Sequence, residues 1–473
     1  MINITSDYAL LTDFYQLTMA NGYLLKGIAE KQAVFDLFFR KAPFNGSYAI
    51  CYGINMALKG ITNMKFSSED IEYLQERNIF SDEFLDYLAN WKCHLTIHSV
   101  ADGRVIFPRE PIMEIEGPLI ECQLIETYLL NCFNFPTLCA TKANRMWITS
   151  GKQPIIEFGL RRAQGSNGGL IASKAAVVGG CEGTSNVLAG KYYGLNVSGT
   201  QAHSWVMAFD SELESFRAFA DIYPESCILL VDTYDTLESG VPNAIIVGKE
   251  LQAKGITLRG IRLDSGDITQ LSRKAREMLD KAGLKDTKII ASNDIDEYVI
   301  EEIQKKNGKV DLWGIGTKLV TCYDQPALGG VYKLVAIDNK PKLKIAETID
   351  KTTLPSKKQV FRIYNDANFM IGDIIELSTI KSLQKEQIYD PINPKKSSKL
   401  PKYSSVESLL NLIIEKGKFK GTLKNWHAAK QQMKEDVARL PIKLTQLRHP
   451  QKYVVSISRS LHDLRMKLIK QYT

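Results

Sequence analysis

A chain of 473 residues is too long for one compact core, so two or three domains are expected. With 44% hydrophobic and 24% charged residues, the composition is globular and excludes disorder of the whole chain. The net charge of +7 is uneven: from Ala336 to Thr473 Lys and Arg outnumber Asp and Glu by about two to one, whereas the first two thirds are mildly acidic.

In chain order, the first segment (1–134) reads as a small α+β unit. Helical spacing of Leu10, Leu11, Phe14, Leu17 and Met19 predicts a helix over Tyr8 to Leu25. Ala33 to Phe39 reads as a strand. Ser67 to Ala89 reads as a helix with Ser67 and Ser68 as cap candidates. Val100 to Ile106 and Ile112 to Ile115 read as short strands. In the second segment (135–335), short apolar runs alternate with helical patterns. The runs are 155–158, 176–178, 195–197, 228–231, 260–263, 288–291 and 310–313. Such alternation predicts a parallel sheet flanked by helices, and seven runs suggest an irregular α/β barrel. The third segment (336–473) is lysine-rich. Lys340 to Tyr364 reads as β-hairpins, and Ser405 to Lys416 and Ala428 to Leu440 as helices. Its basic residues are scattered with few aromatics between them, which fits a solvated surface better than a nucleic-acid interface.

The eight cysteines form no C-x-x-C pair and several lie in apolar runs, so free thiols in a reducing, cytoplasmic compartment are expected. The six histidines lack zinc-ligand spacing. Neither a signal-peptide core nor an apolar run of membrane length is present, so no membrane partner is expected. The sequon at Asn196-Val197-Ser198 is inert in the cytoplasm.

Barrel enzymes place their chemistry at the C-terminal ends of the strands. Here those ends carry Glu157-Phe158-Gly159-Leu160-Arg161-Arg162, Glu182-Gly183-Thr184-Ser185-Asn186, and Ser198-Gly199-Thr200-Gln201-Ala202-His203-Ser204. Asp232-Thr233-Tyr234-Asp235, Arg262-Leu263-Asp264-Ser265-Gly266-Asp267, Ser292-Asn293-Asp294 and Gly314-Ile315-Gly316-Thr317-Lys318 follow. Asp294 and Ser265 read as plain helix caps. Gly314, Gly316, Thr317, Ser292 and Asn293 follow the last two strands, where barrels bind phosphate through backbone N–H groups. Asp232, Asp235, Asp264 and Asp267 form an acidic set that suits Mg²⁺ shared with substrate oxygens, or equally well a set of partners for the neighbouring arginines. Arg161, Arg162 and Arg262 need anionic partners, either these acids or a substrate carboxylate and phosphates. His203, in a strand-end loop beside acids, suits a base or a nucleophile toward phosphorus.

These segments, together with Leu11-Thr12-Asp13-Phe14-Tyr15-Gln16-Leu17-Thr18-Met19, resemble the nicotinate phosphoribosyltransferase family from about Asp7 to Val335, and more weakly beyond. The resemblance implies the type II phosphoribosyltransferase barrel, with N- and C-terminal α+β parts. It implies nicotinate, phosphoribosyl pyrophosphate and ATP as substrates, Mg²⁺ (or Mn²⁺) as metal, and a role in making NAD. His203 matches a transiently phosphorylated histidine, with Asp232 and Asp264 beside it as catalytic and metal-facing acids. Tyr15 matches an aromatic that stacks on the pyridine from the partner subunit of a homodimer, with Phe158 on the other face. Arg161, Ser185, Thr200 and Arg262 match nicotinate contacts. Ser292, Asn293, Gly314, Gly316 and Thr317 match the phosphoribosyl pyrophosphate site. A nicotinamide-using relative carries Asp where Ser185 stands, and a carboxylate there would repel nicotinate. Ser185 therefore favours nicotinate, and nicotinamide stands as the alternative substrate. A phosphosugar aldolase or isomerase would need a strand-end base, for which Lys318 is the basic candidate. A basic-tailed binding protein would bind nucleic acid without turnover.

Overall fold

The computed structural model describes residues 8–345, 352–383 and 387–472. The chain divides into two compact units. One gathers residues 1–138 with 327–473, and the other comprises Cys139 to Pro326. The lysine-rich last third therefore shares a unit with the first segment.

In the first unit a seven-stranded sheet is built around Gln32–Phe39. This strand pairs antiparallel with Met113–Pro118 on one side and Gly330–Ile337 on the other. The same sheet continues through Thr96–Ser99 to Asn411–Glu415, so a strand from the last third completes a sheet begun by the first. A second, six-stranded sheet comes entirely from the last third, with Lys358–Tyr364 and Met370–Leu377 as its longest pair. The hairpin expectation for Lys340 to Tyr364 falls partly on residues 346–351, outside the described residues.

Three local expectations for this unit need correction. Ser405 to Lys416 is two strands, Ser405–Ser408 and Asn411–Glu415, not a helix. Sheet edges offering ladder partners override a helix-like spacing of apolar residues. Ser67 to Ala89 is two helices, Ser68–Gln75 and Asp82–Ala89, each started by a serine. Ser67 forms a full capping box with Asp70, and Ser81 caps the second helix through the N–H of Phe84. The Tyr8 to Leu25 helix begins only at Phe14.

The second unit carries a six-stranded parallel sheet. Its strands are β1 (Ile155–Glu157), β2 (Gly183–Thr184), β3 (Ile228–Leu230), β4 (Gly260–Leu263), β5 (Lys288–Ala291) and β6 (Leu312–Ile315). Their spatial order is β2-β1-β6-β5-β4-β3, with helices in the connections. Val197 adds one isolated parallel bridge to Thr184. Among the described residues no ladder joins β3 to the β2 edge, so hydrogen bonding alone leaves the sheet open.

Two of the seven predicted strand runs are placed differently. Ala176 to Val178 lies inside the helix Gly165–Gly179, where Ala172, Ala175, Ala176 and Val178 are all buried. A short apolar run cannot by itself distinguish a buried strand from a buried helix turn. Leu195 to Val197 contributes only the single bridge. The helix Glu126–Thr149 escaped the sequence reading; Pro136 inside it breaks the expected pattern. All eight cysteines are free and seven are buried. No helix among the described residues is long and apolar enough to cross a membrane.

Candidate active site

Because β1 to β6 are parallel, the residues that follow them emerge at one edge of the sheet. Register makes this concrete. Leu230 lies opposite Arg262, Ile290 opposite Arg262, and Ile315 opposite Glu157. Phe158, Ser185, Asp232, Asp264, Ser292 and Gly316 each stand just beyond a strand end.

Asp264 is the hub of this edge. One of its carboxylate oxygens accepts from Arg262 Nη1 (3.1 Å) and from the Ser292 hydroxyl (2.5 Å). Its other oxygen stands 3.8 Å from His203 Nε2. The Asp264 backbone N–H donates to Asp232 Oδ2 (2.8 Å), as does the Ser265 hydroxyl (2.6 Å). Asp232 Oδ1 is buried and has no hydrogen-bond partner among the described residues. His203 opens the short helix His203–Met207, its side chain 41% exposed, with Nδ1 3.1 Å from the Thr233 hydroxyl.

Arg262 is fixed from three sides. Besides Asp264, its Nη1 reaches Ser292 Oγ (3.1 Å), and its Nη2 donates to the Gln201 carbonyl (2.8 Å). Burial pulls its guanidinium below its ordinary value, Asp264 and Asp232 push the other way, and Arg161 adds to the lowering. Among the described residues its Nε is buried without a partner, as are both polar atoms of the Gln201 side chain. The edge thus keeps unused hydrogen-bonding capacity on Asp232, Arg262 and Gln201.

Glu157, quoted among the strand ends but given no role from the sequence, organises the neighbouring loops. It is fully buried, and its carboxylate accepts from the Gly159 N–H and from the hydroxyls of Ser173 (2.8 Å) and Thr184 (2.5 Å). Its backbone carbonyl accepts from the Ser185 N–H (2.8 Å). One side chain therefore anchors the Phe158–Arg162 turn, the helix Gly165–Gly179 and the Ser185 loop. The sequence signal was an acid inside an otherwise apolar strand, which demands satisfied partners.

Gly314 lies within β6, and a Cβ there would meet the Phe158 ring at 2.6 Å. Its lack of a side chain makes room for that ring. Gly316 precedes the short helix Thr317–Val320, with Thr317 as its first residue. Asn293 adopts a left-handed backbone (φ 111°) beyond β5 and is exposed. Arg161 is exposed, and Ser185 and Thr200 are half-buried. Tyr15 belongs to the other unit, on the helix Phe14–Leu25, and is 49% exposed.

The acidic set divides in two. Asp235 caps the turn that begins at Thr236, and Asp267 caps the helix Ile268–Lys281 through the Gln270 N–H. Both are exposed helix starters, whereas Asp264 faces the histidine and Asp232 accepts from the Asp264 N–H. Neither Asp294 nor Ser265 acts as the plain cap expected of it. Asp296 caps the helix Glu297–Lys305, and Ser265 donates to Asp232. Among the described residues no group of three or more His, Cys, Asp or Glu side chains is placed to hold a metal ion.

Comparisons with known proteins agree with one another. Residues 10–134 match the nicotinate phosphoribosyltransferase N-terminal domain, 154–373 the nicotinate phosphoribosyltransferase family, and 357–465 its C-terminal domain. The nicotinate phosphoribosyltransferase of Bacillus subtilis is 40% identical, over 98% of this chain and 95% of its own. The Homo sapiens enzyme of that name is 32% identical, over 96% of this chain and 95% of its own. The crystal structure of human nicotinic acid phosphoribosyltransferase superposes with a TM-score of 0.86 at 29% identity, covering 97% of this chain and 99% of that one. A nicotinate-nucleotide pyrophosphorylase from Pyrococcus furiosus shares the fold at 22% identity, with a TM-score of 0.72 over 91% of this chain and 95% of that one. With its polar strand ends gathered on one parallel edge and its whole length matched in this way, the chain belongs to the nicotinate phosphoribosyltransferase family.

Proposed function

We propose that the second unit transfers the phosphoribosyl group of phosphoribosyl pyrophosphate to nicotinate, coupled to ATP hydrolysis through His203, for the salvage of NAD. The observation that carries this reading is the contact chain Thr233–His203–Asp264–Arg262–Ser292 at one strand edge. In transfer, the pyridine nitrogen forms a bond to C1′ of the sugar while the bond from C1′ to pyrophosphate breaks. Positive charge develops at C1′, and Asp232 and Asp264 are the carboxylates that stabilise it. Phe158, seated over Gly314, offers a flat apolar face to the pyridine ring. The unpartnered Arg262 Nε and the exposed Arg161 are the cations available to the nicotinate carboxylate, with Ser185 and Thr200 as neutral donors.

Ser292, Asn293, Gly314, Gly316 and Thr317 are assigned to the sugar phosphate. Asp232 Oδ1, buried without a partner, and Asp264 fit Mg²⁺ or Mn²⁺, which prefers few protein oxygens and completes its shell with substrate oxygens. When bound, the metal neutralises the leaving pyrophosphate. The parallel strands and the Val197 bridge support reading this unit as the irregular barrel of type II phosphoribosyltransferases. The α+β segments at 1–134 and 336–473 flank a catalytic segment at 135–335. The exposed Tyr15 supports a homodimer in which this ring stacks in the partner's site, and the eight free cysteines support a cytoplasmic location.

One assay tests the reading: nicotinate, phosphoribosyl pyrophosphate and Mg²⁺, with and without ATP. Nicotinate mononucleotide should form, faster with ATP, and His203→Ala should lose the ATP stimulation. Absence of product in both reactions sinks the proposal, and unchanged stimulation in His203→Ala removes the histidine from the coupling.

A further inference from the structure

We propose that Thr233 is the positioning residue of His203, accepting its Nδ1–H so that phosphorylation is directed to Nε2. The inference rests on the phosphorylation of His203 proposed above and adds which atom is used and what selects it. A neutral imidazole carries one N–H and one lone pair, and the hydrogen bond made by one nitrogen decides the chemistry left to the other. Nδ1 lies 3.1 Å from Thr233 Oγ1, within hydrogen-bond reach. Nε2 stands 3.8 Å from Asp264 Oδ2, beyond it. If the threonine donated to Nδ1, the nucleophilic lone pair would be occupied and Nε2 would carry an inert N–H. With the threonine as acceptor, the lone pair of Nε2 on this 41% exposed side chain is free.

Thr233 is well placed for this because both its flanks are tied down. On one side Asp232 is held by the Ser265 hydroxyl and the Asp264 N–H. On the other, Asp235 Oδ1 accepts from the N–H groups of Leu237 and Glu238. The histidine has less local support. It opens a five-residue helix whose cap residue, Ala202, has no side-chain hydrogen bond to give. The threonine hydroxyl, fixed on a strand end, therefore sets the ring orientation that the helix start does not.

In the step itself, the Nε2 lone pair forms a bond to the γ-phosphorus of ATP. The bond from that phosphorus to the β–γ bridging oxygen breaks, and ADP leaves with that electron pair. The ring becomes a phosphoimidazolium that keeps its Nδ1–H on Thr233. Hydrolysis reverses the sense: a water oxygen bonds to phosphorus and the Nε2–P bond breaks. The electron pair then returns to Nε2, and phosphate carries the water's protons to solvent. A neutral hydroxyl acceptor leaves the proton on Nδ1, and a cationic ring departs more readily than a neutral one.

The test uses the full chain, phosphorylated by ATP in the presence of phosphoribosyl pyrophosphate and Mg²⁺. ³¹P NMR of the denatured protein in alkali then distinguishes the two phosphohistidine isomers. Wild type should carry phosphate on Nε2 alone. Thr233→Val, which keeps the shape and removes the acceptor, should distribute phosphate over both nitrogens. Its ratio of rates with and without ATP should fall roughly tenfold. Thr233→Ser, which restores the oxygen, should recover both properties. The inference is overturned by Nδ1 phosphate in wild type, by a Thr233→Val protein that keeps the isomer and the ratio, or by failure of Thr233→Ser to rescue. Wild type with no phosphohistidine at all overturns the role of His203 as well, which separates the two readings.

Discussion

Two arginines, Arg262 in one unit and Arg362 in the other, sit among carboxylates, yet their surroundings differ in the way that matters for chemistry. Arg362 is fully buried and saturated. Its guanidinium donates to both oxygens of Asp373 and to the Val105 carbonyl, while Tyr453 donates to the same aspartate. Glu110, beside it, is pushed well above the usual carboxylate range by burial and by the charge of Asp373. Arg262, its side chain 11% exposed, keeps an Nε without a partner among the described residues, at a strand edge that also holds an unpartnered Asp232 oxygen and a half-exposed histidine. A guanidinium whose three nitrogens all have acceptors holds a fold together; one that keeps an unused N–H is ready for a ligand. In the lysine-rich last third, Lys358 is likewise buried against an acid, Asp36, as Arg362 is against Asp373.

The comparison breaks most sharply on a pair of equivalent substitutions. Asp373→Asn leaves a buried guanidinium short of its counter-charge and should cost about 3–5 kcal/mol of stability, read from urea unfolding. Asp264→Asn should change stability by less than about 1 kcal/mol while lowering turnover by on the order of 10². A protein in which Asp264→Asn unfolds and Asp373→Asn does not would reverse the assignment of the two networks.

A smaller effect is expected from Gly314→Ala. The new methyl collides with the Phe158 ring, so overpacking should cost about 1–3 kcal/mol and KM for nicotinate should rise. An unchanged KM would remove Phe158 from the nicotinate site.

The smallest concerns pH. Burial, with a further contribution from Asp36, raises Glu114 to about 8, while Lys358 opposes the rise. A carboxyl whose folded value lies above its unfolded one stabilises fully below the unfolded value and loses that contribution as pH rises through about 8. Wild-type stability should therefore decline between about pH 5 and 8, and Glu114→Gln should flatten the decline, as urea midpoints across that range will record. An identical slope in the variant would mean that Glu114 is ionised in the folded protein.

Much of the site was legible because strand ends in a parallel sheet are marked locally. Four-residue apolar runs such as Gly260–Leu263 and Lys288–Ala291 are followed at once by Asp264 and Ser292, and the structure puts both strands where the pattern does. The helix caps were less legible. Asp, Ser and Asn near a helix start all look alike in sequence, so Asp294 and Ser265 drew a role that Asp296 and Asp267 perform. Glu157 and Thr233 were missed because each acts through partners far away in the chain. Ser173, Thr184 and His203 lie 16, 27 and 30 residues from them.

The sequence by itself determined the parallel αβ character of the second unit, the polar load of its strand ends and the family those motifs resemble. Local apolar periodicity and residue chemistry are sufficient for that. Only the tertiary structure decided which acid faces the histidine and which merely start helices. It also decided that the last third completes a sheet of the first, and that one side of His203 rests on a threonine. These are long-range pairings, set by strand register and by the need of every buried polar group to find a partner, and neither is written in any local stretch of chain.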